Sequence, residues 1–505
     1  MRTTPRPFLI LIALLLWSLP GGAAAQVAPL PSANTEPRGL EVLASSEGFT
    51  SSDEIEKLSV DVVAAGFNQL YPEARTLIGV AWPSNIEPML PFVGRGIENP
   101  LGLLRNRVSS TVEILPWLQV MPAHNVLMGV TPPEKSPLGI APGMASIDVT
   151  GERRAFGNLV YLDPGNPATR EYLLAVILEM SQSIRADGVV LDTFEYAGRE
   201  WGYSEAAIEA FRAEVGGSGP PLPNDPVWSA WRREQLTNAL RLMRSRIRSV
   251  LPQFKFSVVI DASGPPPATW DEYTAGTAYS EKMQDWLGWC RDGLLEQIVI
   301  RFHERHGTET LANLEAWSRF LADNAGLAVP VVSLSGRANF TENLVAQHRT
   351  VRTRGVGTSL NHYAFPTRDM NLGFYEGLRR SAFGTNFGVR LSPEPRRGER
   401  ESRQFTRMQP PPPEYPRAAR REATPTPEPP LRFVTPTPPP SPTPVPVLRP
   451  SPIVRVIVLR NGRQIQGVVA EVRDSTYVIL PEGGTQMVVS KAQVQGIYPS
   501  IEETP

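Results

Sequence analysis

The chain has 505 residues, a formal net charge of -1 and 41% hydrophobic residues, an ordinary globular balance without the basic excess expected of a nucleic-acid binder. Its only cysteine, Cys290, excludes an intrachain disulfide framework. Proline is the anomaly: of 52 in all, those between Pro393 and Pro452 crowd a stretch in which no periodic apolar pattern survives.

At the start of the chain, Arg2 and Arg6 precede an apolar run over 8–17, and small residues end at Ala23-Ala24-Ala25 before Gln26. That order is expected of a secretory signal peptide, residues 1–25, cleaved after Ala25. The run falls short of the ~20 residues a membrane span needs, so no stable span is expected after cleavage. Cys290 lies far from the cleavage site and offers no point for a lipid anchor. The mature protein is expected to be exported, periplasmic or extracellular, and associated with the cell envelope.

Over residues 36–390, short β-rich runs alternate with amphipathic helical patterns, the grammar of repeated βα units around a parallel sheet. Eight runs are expected as strands: 39–44, 69–71, 112–120, 189–191, 255–260, 297–301, 329–334 and 357–363. Eight such units predict a (β/α)8 TIM barrel, with the segments 122–159 and 198–226 as enlarged loops. The fourth unit shows the logic. Asn166 can cap a helix, Pro167 sits where a missing N–H costs nothing, and Leu173, Ile177, Met180 and Ile184 recur on one helical face. Val189-Val190-Leu191 then reads as a strand covered on both faces, with Asp192 at its carboxyl end. The fifth strand likewise ends in Asp261.

The proline-rich segment, 391–452, is expected to be a disordered linker in extended polyproline geometry. Its first half carries Arg396, Arg397, Arg417, Arg420 and Arg421, a charge run suited to an anionic wall polymer. Residues 453–500 alternate as short strands around Asn461-Gly462, a hairpin signal, and predict a small all-β barrel of SH3-like or Sm-like type.

The carboxyl ends of barrel strands are where catalytic groups gather. Glycosidic cleavage needs two carboxyl groups flanking the bond, one to protonate the leaving oxygen and one to act as nucleophile or to activate water. The candidates are Asp192 and Glu195 after strand four, Asp261 after strand five, and Glu304 after strand six, with Glu73 and His303 as substrate-binding groups at neighbouring strand ends. Trp82, Trp117, Tyr196, Trp201 and Trp270 fall in or beside the same loops, where rings can stack on the apolar faces of sugars. Trp228, Trp231, Trp286 and Trp289 lie on predicted helices and are read as core. Asp187 is read as a turn residue and Asp285 as a cap.

Other chemistries find no support. His303 and His306 lack the H-E-x-x-H spacing of zinc peptidases, so neither a metal nor another cofactor is expected. The sequence holds no G-x-S-x-G elbow, no phosphate-binding loop and no dinucleotide fingerprint after a strand.

Several segments taken together resemble the glycosyl hydrolase-like 10 family. They are Arg38-Gly39, Ala65-Gly66-Phe67-Asn68, Trp82-Pro83-Ser84, Glu87-Pro88, Trp117-Leu118, Leu162-Asp163-Pro164-Gly165-Asn166-Pro167, Arg170-Glu171-Tyr172, Asp187-Gly188-Val189-Val190-Leu191-Asp192, Trp231-Arg232-Arg233 and Asp285-Trp286. The resemblance covers nearly all of the expected barrel. It implies a (β/α)8 fold and glycoside hydrolysis in the cell envelope, with some members similar to enzymes that cleave peptidoglycan glycan strands stripped of peptide. It carries over most directly to Asp192. A second Asp often follows that acid in the family, whereas Thr193 stands here and Glu195 is the next acid; strand six ends in Arg301-Phe302-His303 in place of a Pro-Met-x-Tyr type segment. Two readings follow: an envelope glycoside hydrolase using Asp192 with Asp261 or Glu304, or a non-catalytic glycan-binding protein on the same scaffold.

Overall fold

The computed structural model of the chain describes residues 36–383, apart from positions 47, 95, 129–131, 218, 263, 371 and 372, together with strand segments between 454 and 499. The expected signal peptide and the proline-rich segment lie outside the described residues. The chain divides into two units, one holding the helical and parallel-stranded body and the other the C-terminal strands.

The body is a closed parallel barrel of eight strands: β1 (Arg38–Val42), β2 (Gln69–Thr76), β3 (Trp117–Gln119), β4 (Gly188–Asp192), β5 (Lys255–Asp261), β6 (Gln297–Phe302), β7 (Val329–Ser335) and β8 (Gly357–Asn361). Each falls on one of the runs expected from the sequence. Closure is explicit, because Gly39 of β1 is in register with Gln69 of β2 on one side and Ser359 of β8 on the other. Gly39 is needed there: an added Cβ would lie 2.5 Å from the Tyr71 ring, which fills the barrel interior.

The connecting helices obey the capping rules read from sequence. In α1 (Ser52–Ala65) the Ser51 hydroxyl accepts from the Glu54 N–H, and Gly66 ends the helix in the left-handed region at φ 83°. In α2 (Pro167–Ile184) the Asn166 side chain accepts from Ala168 N–H at 2.9 Å, and Leu173, Ile177, Met180 and Ile184 are buried against the strands. In α3 (Pro226–Val250) Asp225 caps the start, and Trp228 and Trp231 stack 5.1 Å apart at 10°. Asp285 caps the short helix Trp286–Arg291 by accepting from Gly288 N–H. Of the enlarged loops, one carries the antiparallel pair Pro122–Asn125 with Leu159–Tyr161, and the other the helix Glu205–Val215.

Inside the barrel, Tyr71, Leu115, Val190, Val259, Val299 and Val331 form an apolar plug with Trp117 packed against it. A strand alternates its faces with period two, so the residue two places further on points inward one layer nearer the carboxyl end. Applied to the plug, that rule yields Glu73 from Tyr71, Gln119 from Trp117, Asp192 from Val190, Asp261 from Val259, Arg301 from Val299 and Ser333 from Val331. The barrel thus changes over one residue pair from a dry core to a charged mouth.

In the C-terminal unit, β9 (Val454–Leu459), β10 (Gln464–Val472), β11 (Thr476–Pro481), β12 (Met487–Ser490) and β13 (Val494–Pro499) form one antiparallel sheet in the order β12-β11-β10-β9-β13. Ile465, Ile479 and Val489 make its small buried core. No helix among the described residues is long and apolar enough to cross a membrane.

Candidate active site

The charged mouth is organised around Arg301. Parallel register sets Arg301 of β6 beside Asp261 of β5, and β4, the other neighbour of β5, ends in Asp192. One guanidinium nitrogen of Arg301 donates to Asp192 at 2.6 Å and the other to Asp261 at 2.9 Å. Each carboxylate lies within one hydrogen bond of the same guanidinium, so the two are no further apart than roughly 8 Å, inside the span of glycosidase carboxylate pairs. Asp192 is nearly enclosed, its side chain 7% exposed, while that of Asp261 is 44% exposed.

A second cation extends the pattern. Lys282 Nζ lies 2.8 Å from Glu195 and 3.4 Å from Asp261. The mouth therefore reads as an alternating chain of charge, Asp192, Arg301, Asp261, Lys282, Glu195. Asp261 and Glu195 differ in proton affinity. Burial of Asp261 opposes ionisation, but Arg301 and then Lys282 outweigh it and hold the carboxyl below its ordinary value. For Glu195, burial dominates; Lys282 pulls the other way, Asp261 and Asp192 add to the rise, and the carboxyl is pushed up to about 7. Glu73, buried between Ala44 N–H and the Gln119 amide at 3.0 Å each, is also raised, first by burial and further by Asp192. The hydroxyl of Tyr161 is raised by burial and by Glu195, Asp192 and Asp261.

The backbone around this chain is strained on both sides. Thr193, directly after Asp192, has φ 54°, and Met283, directly after Lys282, has φ 61°. A β-branched residue in the left-handed region costs on the order of 1–3 kcal/mol, and such residues gather where a site needs its groups held in place. The two segments are stitched together: Tyr196 N–H donates to the Lys282 carbonyl at 3.0 Å and the Gln284 amide to the Phe194 carbonyl at 3.2 Å. Strain at Thr193 and Met283 thus flanks the Glu195–Lys282 ion pair.

Asp192, Asp261, Glu195 and Glu73, all candidates from the sequence, meet in this mouth. Glu304 does not join them; it is half-buried after β6 and accepts from Thr310 at 3.4 Å. His303 lies beside the mouth, its Nε2 2.8 Å from Ser333 Oγ. Trp117 is half-buried against the plug, its indole N–H without a partner among the described residues. Trp201 and Trp270 are half-buried in aromatic clusters, Trp201 edge-on to Phe156 at 5.3 Å and Trp270 beside Tyr273 at 5.2 Å.

Two expected sugar-stacking rings are corrected. Trp82 is fully buried and donates its indole N–H to Glu179 of α2 at 3.1 Å, and Tyr196 is fully buried with Arg232 over its ring. Neither presents a face to a ligand. Asp187 serves the turn before β4, accepting from Ile114 N–H and Arg105 at 2.8 Å each. Arg301, Lys282 and Glu41 were not singled out in the sequence. The period-two step from the plug would have found Arg301, and the step from Gly39 would have found Glu41; Lys282 follows a helical insertion and no spacing signals it. Among the described residues, no group of three or more His, Cys, Asp or Glu side chains is arranged to hold a metal ion.

A closed parallel barrel with carboxyl groups gathered at the carboxyl ends of its strands defines a protein of the glycosidase-fold class. A family model described as glycosyl hydrolase-like 10 matches residues 50–341, and the chain belongs to that family. Among curated proteins, glycosyl hydrolase DigH of Escherichia coli strain K12 and of Shigella flexneri is 23% identical over 267 residues, half of this chain. The match covers 56% of each relative's own length. Among solved structures, the glycoside hydrolase domain of PgaB from Bordetella bronchiseptica superposes with a TM-score of 0.54 at 13% identity, over 69% of this chain and 99% of that one. The likeness is one of fold.

Proposed function

We propose that the chain is an exported glycoside hydrolase acting on a cell-envelope polysaccharide, with Glu195 as proton donor and Asp192 as the second carboxylate. The observation that carries this reading is the unequal pair of acids on one loop: Glu195, held protonated to about 7 by burial, three residues after Asp192, which Arg301 supplies with a fixed positive partner at 2.6 Å. A glycosidase needs one carboxyl kept as an acid beside a second carboxyl group, and the Arg301 contact to Asp192 sets the surroundings of the two apart. Asp261, held below its ordinary value by Arg301 and Lys282 against the effect of burial, is a poor donor and is assigned to binding or to the activation of water.

In the reaction, protonated Glu195 gives its proton to the glycosidic oxygen as the bond breaks, Asp192 answers the positive charge that develops on the sugar ring, and a water adds to the anomeric carbon and loses its proton to a carboxylate of the mouth. Lys282 then steadies the Glu195 carboxylate that remains. The signal-peptide pattern supports export, and the resemblance to the glycosyl hydrolase-like 10 family supports a glycan of the envelope. Peptide-free peptidoglycan strands are the substrate to test first. The basic residues within 391–452, or the sheet domain within 453–500, are proposed to contact a wall polymer; deletion of 394–505 should then weaken wall association at low salt.

The experiment is product release from purified peptide-free glycan strands, followed by mass spectrometry. Wild type should release glycan fragments, whereas Asp192→Asn and Glu195→Gln, folded by circular dichroism, should not. Because each of Asp192, Asp261 and Glu195 is already ion-paired, a second reading has its own signature: sedimentation with sacculi and no product at any pH would mark a glycan-binding protein on a glycosidase barrel.

A further inference from the structure

Glu41 lies inside β1 with 6% of its surface exposed, among groups that the reaction above does not use. Its Oε1 accepts from Ser333 Oγ at 2.6 Å and from Ser359 Oγ at 2.7 Å, and its Oε2 accepts from the Asn361 amide at 2.7 Å. The three partners come from β8, which pairs with β1 where the barrel closes, and from β7, the next strand beyond it. Ser333 has a second partner, His303 Nε2 at 2.8 Å.

The protons can be counted along this chain. A hydroxyl has one proton to give and lone pairs to accept with. Ser333 gives its proton to Glu41, so toward His303 it can only accept. The hydrogen between them must then belong to the imidazole, which makes Nε2 the protonated nitrogen. On a neutral ring, Nδ1 is left as the acceptor. Burial lowers the proton affinity of His303 against the pull of Glu41, and Arg301 adds to the lowering, so a neutral ring fits its surroundings. Nδ1 has no hydrogen-bond partner among the described residues, and it is absent from the buried atoms that lack one. It is therefore open to a ligand.

We propose that Glu41 and Ser333 are positioning residues that lock His303 in the neutral Nε2–H tautomer, so that Nδ1 accepts a hydroxyl of the sugar bound over Asp192. Its kinetic consequence rests on the glycosidase reading; the tautomer does not. A ring that must accept cannot satisfy a ligand offering only an acceptor, so the relay selects for a hydroxyl at that point of the sugar. The same ring nitrogen in the other tautomer would turn the preference round, and this is what the carboxylate behind Ser333 prevents.

The test is 15N NMR of protein labelled at its five histidines, with the His303 signals assigned by their loss in His303→Asn. At neutral pH the wild type should show Nε2 protonated and Nδ1 bare. Ser333→Ala should relax this to a mixture of tautomers, and Ser333→Thr, which keeps the hydroxyl, should restore it. A wild-type ring protonated at Nδ1, or at both nitrogens, overturns the proposal without any variant having to fold, as does a Ser333→Ala protein with an unchanged tautomer. On peptide-free glycan strands, Ser333→Ala should raise KM about 3- to 10-fold with kcat little changed, the loss of one hydrogen bond to substrate. If the wild type cleaves no glycan, the functional reading falls and the NMR result still decides the tautomer.

Discussion

The ammonium of Lys282 sits 2.8 Å from the carboxylate of Glu195, and Glu195 still holds its proton up to about 7. Burial outweighs the ion pair. The consequence for stability has a definite sign. Below the ordinary glutamate value of 4.5, Glu195 is protonated whether the chain is folded or not; between that value and about 7, only the folded chain keeps the proton. The stabilisation is therefore present in acid and lost as pH rises through about 7, by roughly 3 kcal/mol over the whole window. Urea unfolding across that window should show the decline, and Glu195→Gln should flatten it. In activity, the same titration should appear as an alkaline limb of kcat near pH 7, because the donor must start protonated.

Arg301 is expected to matter to the fold as much as to the site. Arg301→Met leaves Asp192 enclosed and without its cation, and removing one partner of a largely buried pair is costly. Arg301 is itself 27% exposed, so solvent screening trims the effect, and a loss of about 2 kcal/mol is expected in urea unfolding. Arg301→Lys should not rescue it. One ammonium cannot reproduce the fork that reaches Asp192 and Asp261 from two nitrogens. Full stability in Arg301→Lys would show that the two contacts are not both formed in solution.

How much of this was legible beforehand depends on what each residue's neighbours in sequence could say. Strands such as Val189-Val190-Leu191 announced themselves because a parallel strand covered on both faces is apolar throughout, and the acids after them stood out against it. Arg301 stands as close to Val299, and Glu41 to Gly39, as Asp192 does to Val190. They were passed over because a charge inside a strand reads as an irregularity until the register of its neighbours is known. Lys282 was not legible at all, since the fold brings it to Glu195 from 87 residues away. The tryptophans failed in the opposite direction. A ring beside a strand end is equally suited to a sugar and to the layer between barrel and helices, and only burial separates the two.

Trp82 and Trp117 should separate in the same way by mutation. Trp82 is fully enclosed and bonded to Glu179, so Trp82→Ala removes a large buried side chain and should cost about 3 to 5 kcal/mol, with KM unchanged in whatever protein folds. Trp117 packs beneath the mouth with its indole N–H unclaimed among the described residues. Trp117→Phe keeps most of the packing and removes a buried donor that has no partner, so it is expected to cost little in unfolding. Equal destabilisation by both substitutions would assign Trp117 to the core as well.

The pair Arg75 and Glu87 tests how the wall of the site is held. Arg75 leaves the end of β2, is 2% exposed, and places its Nε 2.5 Å from a Glu87 carboxylate that is 4% exposed. It also donates to the Gln119 carbonyl and, at 3.3 Å, to the Tyr172 hydroxyl, while that hydroxyl donates to Glu87. The network ties β2, β3 and α2 together beside Glu73 and Gln119. Arg75→Met should cost ~3 to 5 kcal/mol, since it strands a buried carboxylate, and Glu87→Leu should cost a similar amount by stranding the guanidinium. The double variant removes both charges at once and should lose clearly less than the sum of the single losses, a coupling read directly from a double-mutant cycle in urea. Additive losses would mean that the two side chains do not meet in solution, and that the wall beside Gln119 is held by apolar packing alone.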